Sequence, residues 1–455
     1  MNEKKKTLYF IGGAILLALL AFATTPHRAT PNEFLDQGQE FFPEFQDPNS
    51  ATSLEVVSFN EETGEAVPFK VVFEDGKWSI PSHYNYPADG KDQLAKVAAG
   101  VIGIKKDDYR SDNVADHEAL GVIDPLDESA TSLTGRGTRV TISGENEKLL
   151  ADFIIGKKVE GAKGYRFVRI PGQKRVYASK MDIPLTTKFS DWIESDLLKV
   201  EKDDITKITL KDYSINERSG VVNQRDVVKL SKDGSAWKIN KMRSNQEVNK
   251  SKADDLLKAL DELTIVGVRP KPKGLSRNLR KADDAMEVSQ GDYLSLQSKG
   301  YFFAKDGQML SNEGEMQVKT SDGVTYTLRF GEIAYGSGTE VSAGATDPEK
   351  VNKDVAENRY LFITTEFDGR DFKEPRQPKN TDFQNKADSL WSNADKQNKN
   401  LFDAHKAWEE KMEKGKNLSK ELNDRFADWY YVISDASFKK LHLKRKDLVQ
   451  PKKSS

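Results

Sequence analysis

Apolar residues repeat one helical pattern at two places in the chain. The first copy follows Trp78-Ser79-Ile80 and spans 91–104, and the second follows Trp237-Lys238-Ile239 and spans 250–263. In both copies apolar residues fall at i, i+3, i+4, i+7 and i+10, which is one face of an amphipathic helix. The aligned pairs are Leu94 with Ala253, Val97 with Leu256, Ala98 with Leu257, Val101 with Leu260, and Ile104 with Leu263. This shared register predicts an internal duplication.

Alternating apolar and polar residues predict strands in a similar order around both helices. In the first copy the predicted strands are 54–59, 69–73, 78–80, 139–142, 151–155, 165–170 and 175–178. Their counterparts in the second copy are 205–210, 227–230, 237–239, 316–320, 326–330, 359–364 and 429–434. A turn of four residues, Pro171 to Lys174, joins the last two strands of the first copy, whereas more than 60 residues separate those of the second.

The long separation predicts a helical insertion at 378–427. Apolar positions from Thr381 to Lys414 follow steps of four and three, which predicts a helix roughly 50 Å long. Gly415 predicts a turn before a shorter returning helix, so the whole insertion is predicted to be a helical hairpin. Its exposed apolar side chains require burial, either on its own sheet or on a partner protein. The candidate partner-binding residues are Phe383, Leu390, Trp391, Leu401, Phe402 and Trp408.

The predicted fold class is therefore α+β. It consists of two tandem repeats of mostly antiparallel sheet with one packed helix each, a helical hairpin inserted in the second repeat, and an N-terminal transmembrane helix. The predicted divisions are 1–26 as a membrane anchor or signal segment, 27–50 as a proline-rich linker, 51–202 as repeat unit 1, 203–450 as repeat unit 2, and 451–455 as a basic tail. Packing of Phe41, Phe42 and Phe45 into the folded domain is the alternative for part of the linker.

The amino-terminal segment predicts the location of the protein. Lys4, Lys5 and Lys6 precede an uncharged stretch from Thr7 to Pro26. A stretch of that length can span a bilayer once, and the lysines favour a cytoplasmic amino terminus with the bulk of the chain on the periplasmic side. Cleavage as a signal peptide near Ala21-Phe22-Ala23 is an alternative, and a buried helix in a cytosolic protein is another.

Composition removes several classes of function. The chain has 455 residues, a net charge of −2 and no cysteine. Without an overall positive charge, a nucleic-acid partner is not expected. Without cysteine, disulfides, thiolate metal sites and cysteine nucleophiles are excluded.

No catalytic or metal-binding pattern emerges from the remaining residues. The histidines are His27, His83, His117, His405 and His442. None are paired at metal-ligand spacing on one helix, so no metal and no cofactor are predicted. Gly336-Ser337-Gly338 lacks the order of a nucleophile elbow and is interpreted as a loop.

Three other features are interpreted as structural rather than as ligand-binding. Trp78 and Trp237 are interpreted as core residues rather than platforms for a sugar or peptide ring. The run Arg269-Pro-Lys-Pro-Lys273 is interpreted as a solvated basic linker, with contact to lipid head groups as the alternative. Basic residues from Lys439 onward are interpreted as a frayed tail.

The pattern as a whole resembles a known family. The features that carry the resemblance are the anchor, Phe42-Pro43, the Trp78 and Trp237 copies with their helices, and the hairpin within 314–331. They are similar to a bacterial cell-envelope family known only as a domain of unknown function, over about residues 40–450. Members are often encoded beside gliding-motility-type ABC transporters and their auxiliary component. The shared motifs are core and turn residues, so the resemblance implies a fold and a setting but no catalytic residues. The long insertion departs from the commonest members.

Two functions from different classes follow as hypotheses. The first is a non-enzymatic binding or scaffold protein, anchored in the cytoplasmic membrane and accessory to an ABC-type transport or envelope-assembly complex. The second is a cell-envelope hydrolase acting on glycan or peptide. A deep cleft between the repeats, lined by converging Asp and Glu or by Ser and His with shifted pKa values, would favour the hydrolase. A flat surface with an apolar patch on residues 381–428 would favour the scaffold.

Overall fold

The chain folds into two compact units. The computed structural model describes residues 11–18, 20–21, 36–216, 221–273, 275, 288–304, 307–336, 341–343 and 357–452. Unit 1 comprises Met1–Pro68 and Leu94–Leu185, and unit 2 comprises Phe69–Gln93 and Thr186–Ser455. The predicted repeats, 51–202 and 203–450, describe copies of sequence rather than these units, and their boundaries stay a prediction.

The first large sheet has nine strands. They are β1 (Ala51–Asn60), β2 (Glu65–Glu74), β3 (Lys77–Ile80), β4 (Tyr86–Pro87), β5 (Asp108–Ser111), β6 (Thr138–Gly144), β7 (Leu149–Lys158), β8 (Tyr165–Arg169) and β9 (Val176–Lys180). Their order is β4-β3-β2-β1-β6-β7-β8-β9-β5. The pairs from β1 through β6, β7, β8 and β9 to β5 are antiparallel.

The second large sheet has eight strands. They are β10 (Ile205–Asn216), β11 (Val221–Asp233), β12 (Ala236–Ile239), β14 (Gly267–Pro270), β17 (Glu315–Thr320), β18 (Val324–Ala334), β19 (Asn358–Phe367) and β20 (Trp429–Ile433). Their order is β12-β11-β10-β17-β18-β19-β20-β14. Two small antiparallel pairs complete the strands: β13 (Gln246–Val248) with β21 (Val449–Pro451), and β15 (Tyr301–Phe303) with β16 (Met309–Ser311).

The common order of strands confirms the repeat-like architecture. From β3 to β5, the first sheet follows the same sequence of connections as the second sheet from β12 to β14. The two repeated helices are α1 (Lys91–Val101) and α3 (Lys250–Asp261). The five aligned apolar pairs of the duplication are all buried. The helical face and the similar succession of strands in the two copies were therefore predictable from the apolar pattern, whereas β5 and β14 were not predicted.

The other helices are shorter, apart from the one in the insertion. They are α2 (His117–Leu120), α4 (Gln290–Ser298), α5 (Asn393–Phe426), α6 (Asp435–Leu441) and α7 (Arg445–Leu448). Both predicted hairpins formed by short turns are confirmed, namely β8 with β9 and β17 with β18. The predicted pairing across the insertion is also confirmed, because Arg359 of β19 lies opposite Ile433 of β20.

From residue 36 onward the predicted linker 27–50 packs on the fold, which is the alternative that Phe41, Phe42 and Phe45 allowed. Phe41 N donates to Ile104 O at 2.9 Å and Lys106 N donates to Gln39 O at 2.9 Å, just after α1. Phe45 is buried, and the side chain of Asp36 accepts a hydrogen bond from the Tyr177 hydroxyl. Apolar burial and these bonds outweigh the extended preference of the prolines. Residues 27–35 lie outside the described part of the chain.

The second copy begins with an equivalent lead-in segment. Leu197 N donates to Leu263 O at 2.9 Å, and Ile265 N donates to Ser195 O at 3.1 Å. A single 3-10 turn then precedes the first strand in each copy, Pro48–Ser50 before β1 and Lys202–Asp204 before β10. The duplicated structure therefore starts before residue 51 in the first copy.

The two repeated tryptophans are not core residues. Trp78 and Trp237 are only half-buried, whereas the isoleucines two positions later, Ile80 and Ile239, are buried. Trp192 is the tryptophan that fills the interior, with no exposed surface. In a strand, residues two positions apart share a face, but β3 and β12 are only four residues long, so their ends are less covered.

Part of the predicted membrane span is helical and exposed. Residues 11–18, 20 and 21 are helical, and Ile11, Leu16 and Leu17 are exposed. Among the described residues, no helix combines the length and apolar character that crossing a membrane requires. Residues 7–10, 19 and 22–26 of the predicted span lie outside the described part.

The predicted frayed tail is wrong as far as Lys452. Arg445 donates to both carboxylate oxygens of Asp226, at 2.7 and 3.0 Å, and β21 pairs with β13. Beyond it, Lys452 N donates to Asn245 O at 2.9 Å. Such bidentate pairs fix geometry, so the basic residues here hold the carboxyl-terminal segment in place. Residues 453–455 lie outside the described part.

Candidate functional site

The insertion forms one arm with a single long helix. We call residues 368–426 the arm, and its extended first part, 368–392, the strap. Helix α5 begins with a capping box, in which Asp395 N donates to Ser392 Oγ at 3.2 Å and Ser392 N donates to the Asp395 carboxylate at 2.9 Å. The hydrogen bonds from Ser392 and Lys386 lower the pKa of Asp395 to about 2.

The predicted helical hairpin is wrong at two points. Residues 382–385 and 388–390 form 3-10 turns rather than the start of a long helix. Helix α5 then continues for 34 residues through Gly415 without a turn. A Cβ at Gly415 would overlap the carbonyl oxygen of Asp322 and the ring of Phe367. Glycine at this position therefore permits close packing of the helix on the sheet rather than a reversal of the chain.

The carboxyl-terminal third of α5 is fixed to the second sheet. Asn423 Nδ2 donates to Thr365 O at 2.7 Å, and Thr365 N donates to Asn423 Oδ1 at 3.0 Å. The Thr365 hydroxyl donates to Ser419 O at 3.0 Å, and Leu422 and Phe426 are buried. These contacts make the end of α5 part of the core of unit 2.

The amino-terminal part of α5 is covered by the strap, which runs antiparallel to it. Trp408 Nε1 donates to Phe372 O at 3.1 Å, and Lys379 N donates to Asn398 Oδ1 at 3.1 Å. Further along, Lys386 Nζ contacts the Asp395 carboxylate at 2.9 Å. Within the described chain, the hydrogen bonds and ring contacts by which residues 395–412 reach another element all go to the strap. This part of the arm is therefore a helix-and-strap module that extends from the sheet.

The candidate partner-binding residues are distributed unevenly over the arm. Phe383 is buried and its ring packs against two others, at 6.0 Å from Trp391 and 5.7 Å from Phe402. Leu401 and Trp408 are half-buried. Leu390 is the exception, because 73% of its surface is exposed beside this aromatic cluster. Their role in partner binding stays a prediction, and Leu390 is the residue best placed for it.

A second polar site lies inside unit 2 and was not predicted. His83 is buried, and its Nε2 lies 2.7 Å from Ser342 Oγ, 259 residues away in the chain. The other ring nitrogen, Nδ1, lies 3.1 Å from Ser82 Oγ, and the ring stacks on Phe189 at 4.4 Å. Burial and the nearby Arg269 lower the pKa of His83 to about 4. The imidazole is therefore neutral at pH 7 and can accept or donate one hydrogen bond at each nitrogen.

Arg269 is a buried strand residue, so the predicted solvated linker is wrong at its start. It lies in β14, where Val268 and Tyr431 of β20 are opposite each other, and its Nη1 donates to Val268 O at 2.7 Å. The neighbouring Gly267 has no room for a Cβ because the carbonyl of Val341 lies against it. The close approach of residues 341–343 to β14 places Ser342 beside His83.

His83 and Ser342 are so far apart in the chain that a single sequence cannot predict their contact. The signal available was Gly267 at the start of a short strand, which indicates close backbone approach, but it does not name the neighbour. Among the described residues, no cluster of three or more His, Asp or Glu side chains could hold a metal ion. Of the predicted Gly336-Ser337-Gly338 loop, Gly336 has a φ of 114°, and residues 337–340 lie outside the described part.

Comparison with known proteins shows that part of the chain is similar to a family without a known function. Residues 78–278 match the family described as "Domain of unknown function (DUF4340)". The match begins at Trp78 and includes Trp237, so it covers both repeated tryptophans and both repeated helices. It ends before the arm. Neither a curated protein nor a solved structure gave a significant match.

Proposed function

We propose that the protein is a non-enzymatic scaffold, held at the periplasmic face of the cytoplasmic membrane, whose arm docks a protein partner. The partner belongs to an ABC-type transport or envelope-assembly complex. The resemblance to an envelope family supports the setting. The uncharged stretch 7–26 after Lys4, Lys5 and Lys6 supports the anchor.

The position of the arm is the observation that carries the proposal. In the first copy six residues, 170–175, join β8 to β9, whereas in the second copy the same connection contains the whole arm. The first copy shows that the connection between these two strands does not itself require an insertion, and in the second copy only the carboxyl-terminal third of α5 belongs to the core of unit 2. Within the arm, Leu390 exposes 73% of its surface beside an aromatic cluster, and docking of a partner there would remove this apolar surface from water.

Site-specific crosslinking from the arm tests this role. A photo-reactive amino acid at position 390 of the full-length chain in its native membrane is expected to capture one defined protein. The matched control places the same amino acid at Leu149, an exposed leucine of unit 1 with 58% of its surface accessible. Leu390→Asp is expected to weaken recovery of that protein by roughly tenfold or more, because docking would then bury an unpaired carboxylate.

Three outcomes would count against the arm as the docking site. Position 390 could give no adduct, or the same adducts as position 149. Alternatively, recovery of the partner could be unchanged by Leu390→Asp. If a transport or envelope protein were captured only from position 149, the scaffold role would stand but the arm would not be its interface.

The hydrolase is the second candidate, and the His83–Ser342 pair is the observation that favours it. A serine hydroxyl 2.7 Å from a neutral imidazole has the distance of a nucleophile and its general base. Two features weigh against catalysis: both side chains are buried, and Nδ1 faces the Ser82 hydroxyl rather than a carboxylate. A serine-reactive fluorophosphonate probe is expected not to label the folded protein. Labelling that Ser342→Ala abolishes would instead establish the hydrolase.

A further inference from the structure

Unit 1 contains an open groove with a volume of about 790 Å³. One wall is the turn between β7 and β8, and the other is the segment 181–185 that follows β9. The turn is closed by hydrogen bonds from Val159 N to Tyr165 O at 3.0 Å and from Met181 N to Gly164 O at 3.0 Å. Both walls are therefore held by backbone bonds, and the groove is a built feature of the fold. We call it the basic groove.

The floor of the basic groove is apolar. Ile155 and Val159 are buried beneath it, and Met181, Ile183 and Leu185 are half-buried along it. The part of this apolar floor that is open to solvent gains free energy when hydrocarbon covers it.

The rim is positively charged. Lys158 and Lys163 are exposed at the edge, and within the described chain neither has a carboxylate within ion-pair distance. Arg166 is half-buried and donates through Nε and Nη2 to Gly156 O, at 3.0 and 2.6 Å. Asp182 is the one carboxylate among the lining residues. Three cations and one anion around an apolar floor complement a ligand with a negative head and a hydrocarbon body.

We propose that the basic groove binds an anionic phospholipid, with Lys158 and Lys163 on the phosphate and an acyl chain along Met181 and Ile183. Lipid is favoured over an acidic peptide because β7 is already paired on both sides, with β6 and β8, so no free strand edge remains for an extended peptide.

The proposal rests on the anchored location proposed above. Residues 27–35 separate the predicted membrane span from Asp36, which begins the described stretch 36–216. Nine extended residues span at most about 30 Å, so unit 1 would lie within reach of the head groups. Basic residues at such a surface gain about 1 kcal/mol each from anionic lipid, which is a fivefold change in binding per residue.

Hydrogen exchange of the full-length chain in lipid nanodiscs tests the proposal. In discs with about a third anionic lipid, slower exchange is expected at 158–166 and 181–185 than in wholly zwitterionic discs. The pair Lys158→Gln/Lys163→Gln is expected to raise the anionic fraction needed for half protection, with roughly tenfold or more loss of affinity. The control pair Lys96→Gln/Lys148→Gln, also exposed lysines of unit 1 with the same change in charge, is expected to retain protection.

The outcomes distinguish lipid binding in the basic groove from membrane anchoring by the amino-terminal segment. Equal protection in zwitterionic discs, or equal loss in the control pair, would overturn the proposal. Protection by a soluble acidic peptide and not by anionic discs would identify a peptide site instead. Co-elution of the chain with the discs reports on the anchor by itself. If the chain does not co-elute, protection by a soluble short-chain anionic phospholipid, compared with its zwitterionic analogue, decides the groove independently.

Discussion

His83 is the residue with the clearest consequence for the pH dependence of stability. Its ring is enclosed by Phe69 and Phe189, bonded to Ser82 and Ser342, and close to Arg269. Protonation would place a second cation in this buried site. The folded chain therefore keeps the imidazole neutral, with a pKa of about 4, whereas an unfolded histidine titrates near 6.5.

We predict that His83 reduces stability in acid. Above pH 6.5 the ring is neutral in both states and its contribution is fully present. Between pH 6.5 and 4 the unfolded state binds the proton and the folded state does not, so stability falls as pH falls, by on the order of 2–3 kcal/mol. His83→Gln, which keeps a polar side chain without a titrating ring, is expected to flatten this part of the curve.

Urea denaturation of both proteins at several pH values between 4 and 7 measures the effect. His117 and His442 also have lowered pKa values, for which burial is the main cause, but both remain in the variant. The difference between the two curves therefore isolates His83. Parallel curves would mean that the ring is not held neutral as the geometry indicates.

Gly415 shows that a local sequence pattern does not by itself determine where helix α5 ends. A glycine after a long apolar stripe normally indicates the end of a helix, because glycine costs about 1 kcal/mol in a helix interior. Here the position faces Asp322 and Phe367, and a side chain would remove the close packing that holds α5 on the sheet. Tertiary packing outweighs the local preference, and only the neighbouring strands reveal it.

Gly415→Ala is predicted to destabilise the protein although alanine is the better helix former. Overlap with backbone and ring atoms is expected to cost about 1–3 kcal/mol, more than the gain in helix propensity. Asn417→Ala, at an exposed position two residues later in the same helix, is the control and is expected to change stability by about 0.5 kcal/mol or less. Thermal unfolding compares them. Higher stability of Gly415→Ala would mean that α5 moves away from the sheet at little cost.

The sheets were predictable from the sequence because their signals are local or repeated. Strands with alternating burial, such as β6 and β17, and the helical faces of α1 and α3 can be identified from residues close together in the chain. The position of β20 beside β19 was predictable only because the first copy supplied the expected order. For the lead-in segment 36–50 the sequence left two alternatives open, because its prolines favour an extended chain while its phenylalanines favour burial, and its bonds are made with residues after α1.

The secondary structure of the arm was harder to predict because it depends on contacts between segments that are not adjacent in the chain. Phe383 and Leu390 follow helical spacing, yet they belong to turns that fold back onto α5. The capping box at Ser392 is the local signal for the true start of the helix. The His83–Ser342 contact depends on two segments 259 residues apart, and no local pattern reports it.

At the scale of the molecule, the arm divides into a removable part and a part of the core. The strap meets the helix at Phe372, whose carbonyl accepts from Trp408 Nε1 at 3.1 Å and whose ring lies 4.2 Å from Lys411 Nζ. Residues 373–407 therefore begin and end at neighbouring points, and a short Gly-Ser linker can replace them. Beyond this base, Leu422 and Phe426 are buried in unit 2.

Removal of 373–407 is predicted to leave both sheets folded, with a melting temperature within about 5 °C of the full chain, because no buried residue of the sheets is lost. Removal of 378–427 is predicted to be much more disruptive, since it also deletes the Thr365–Asn423 bonds and two buried apolar side chains worth about 2–5 kcal/mol each. Circular dichroism and thermal unfolding of the two variants compare these predictions. If both variants unfold alike, the arm and the sheet form one cooperative element, and loss of partner binding on trimming would not separate docking from folding.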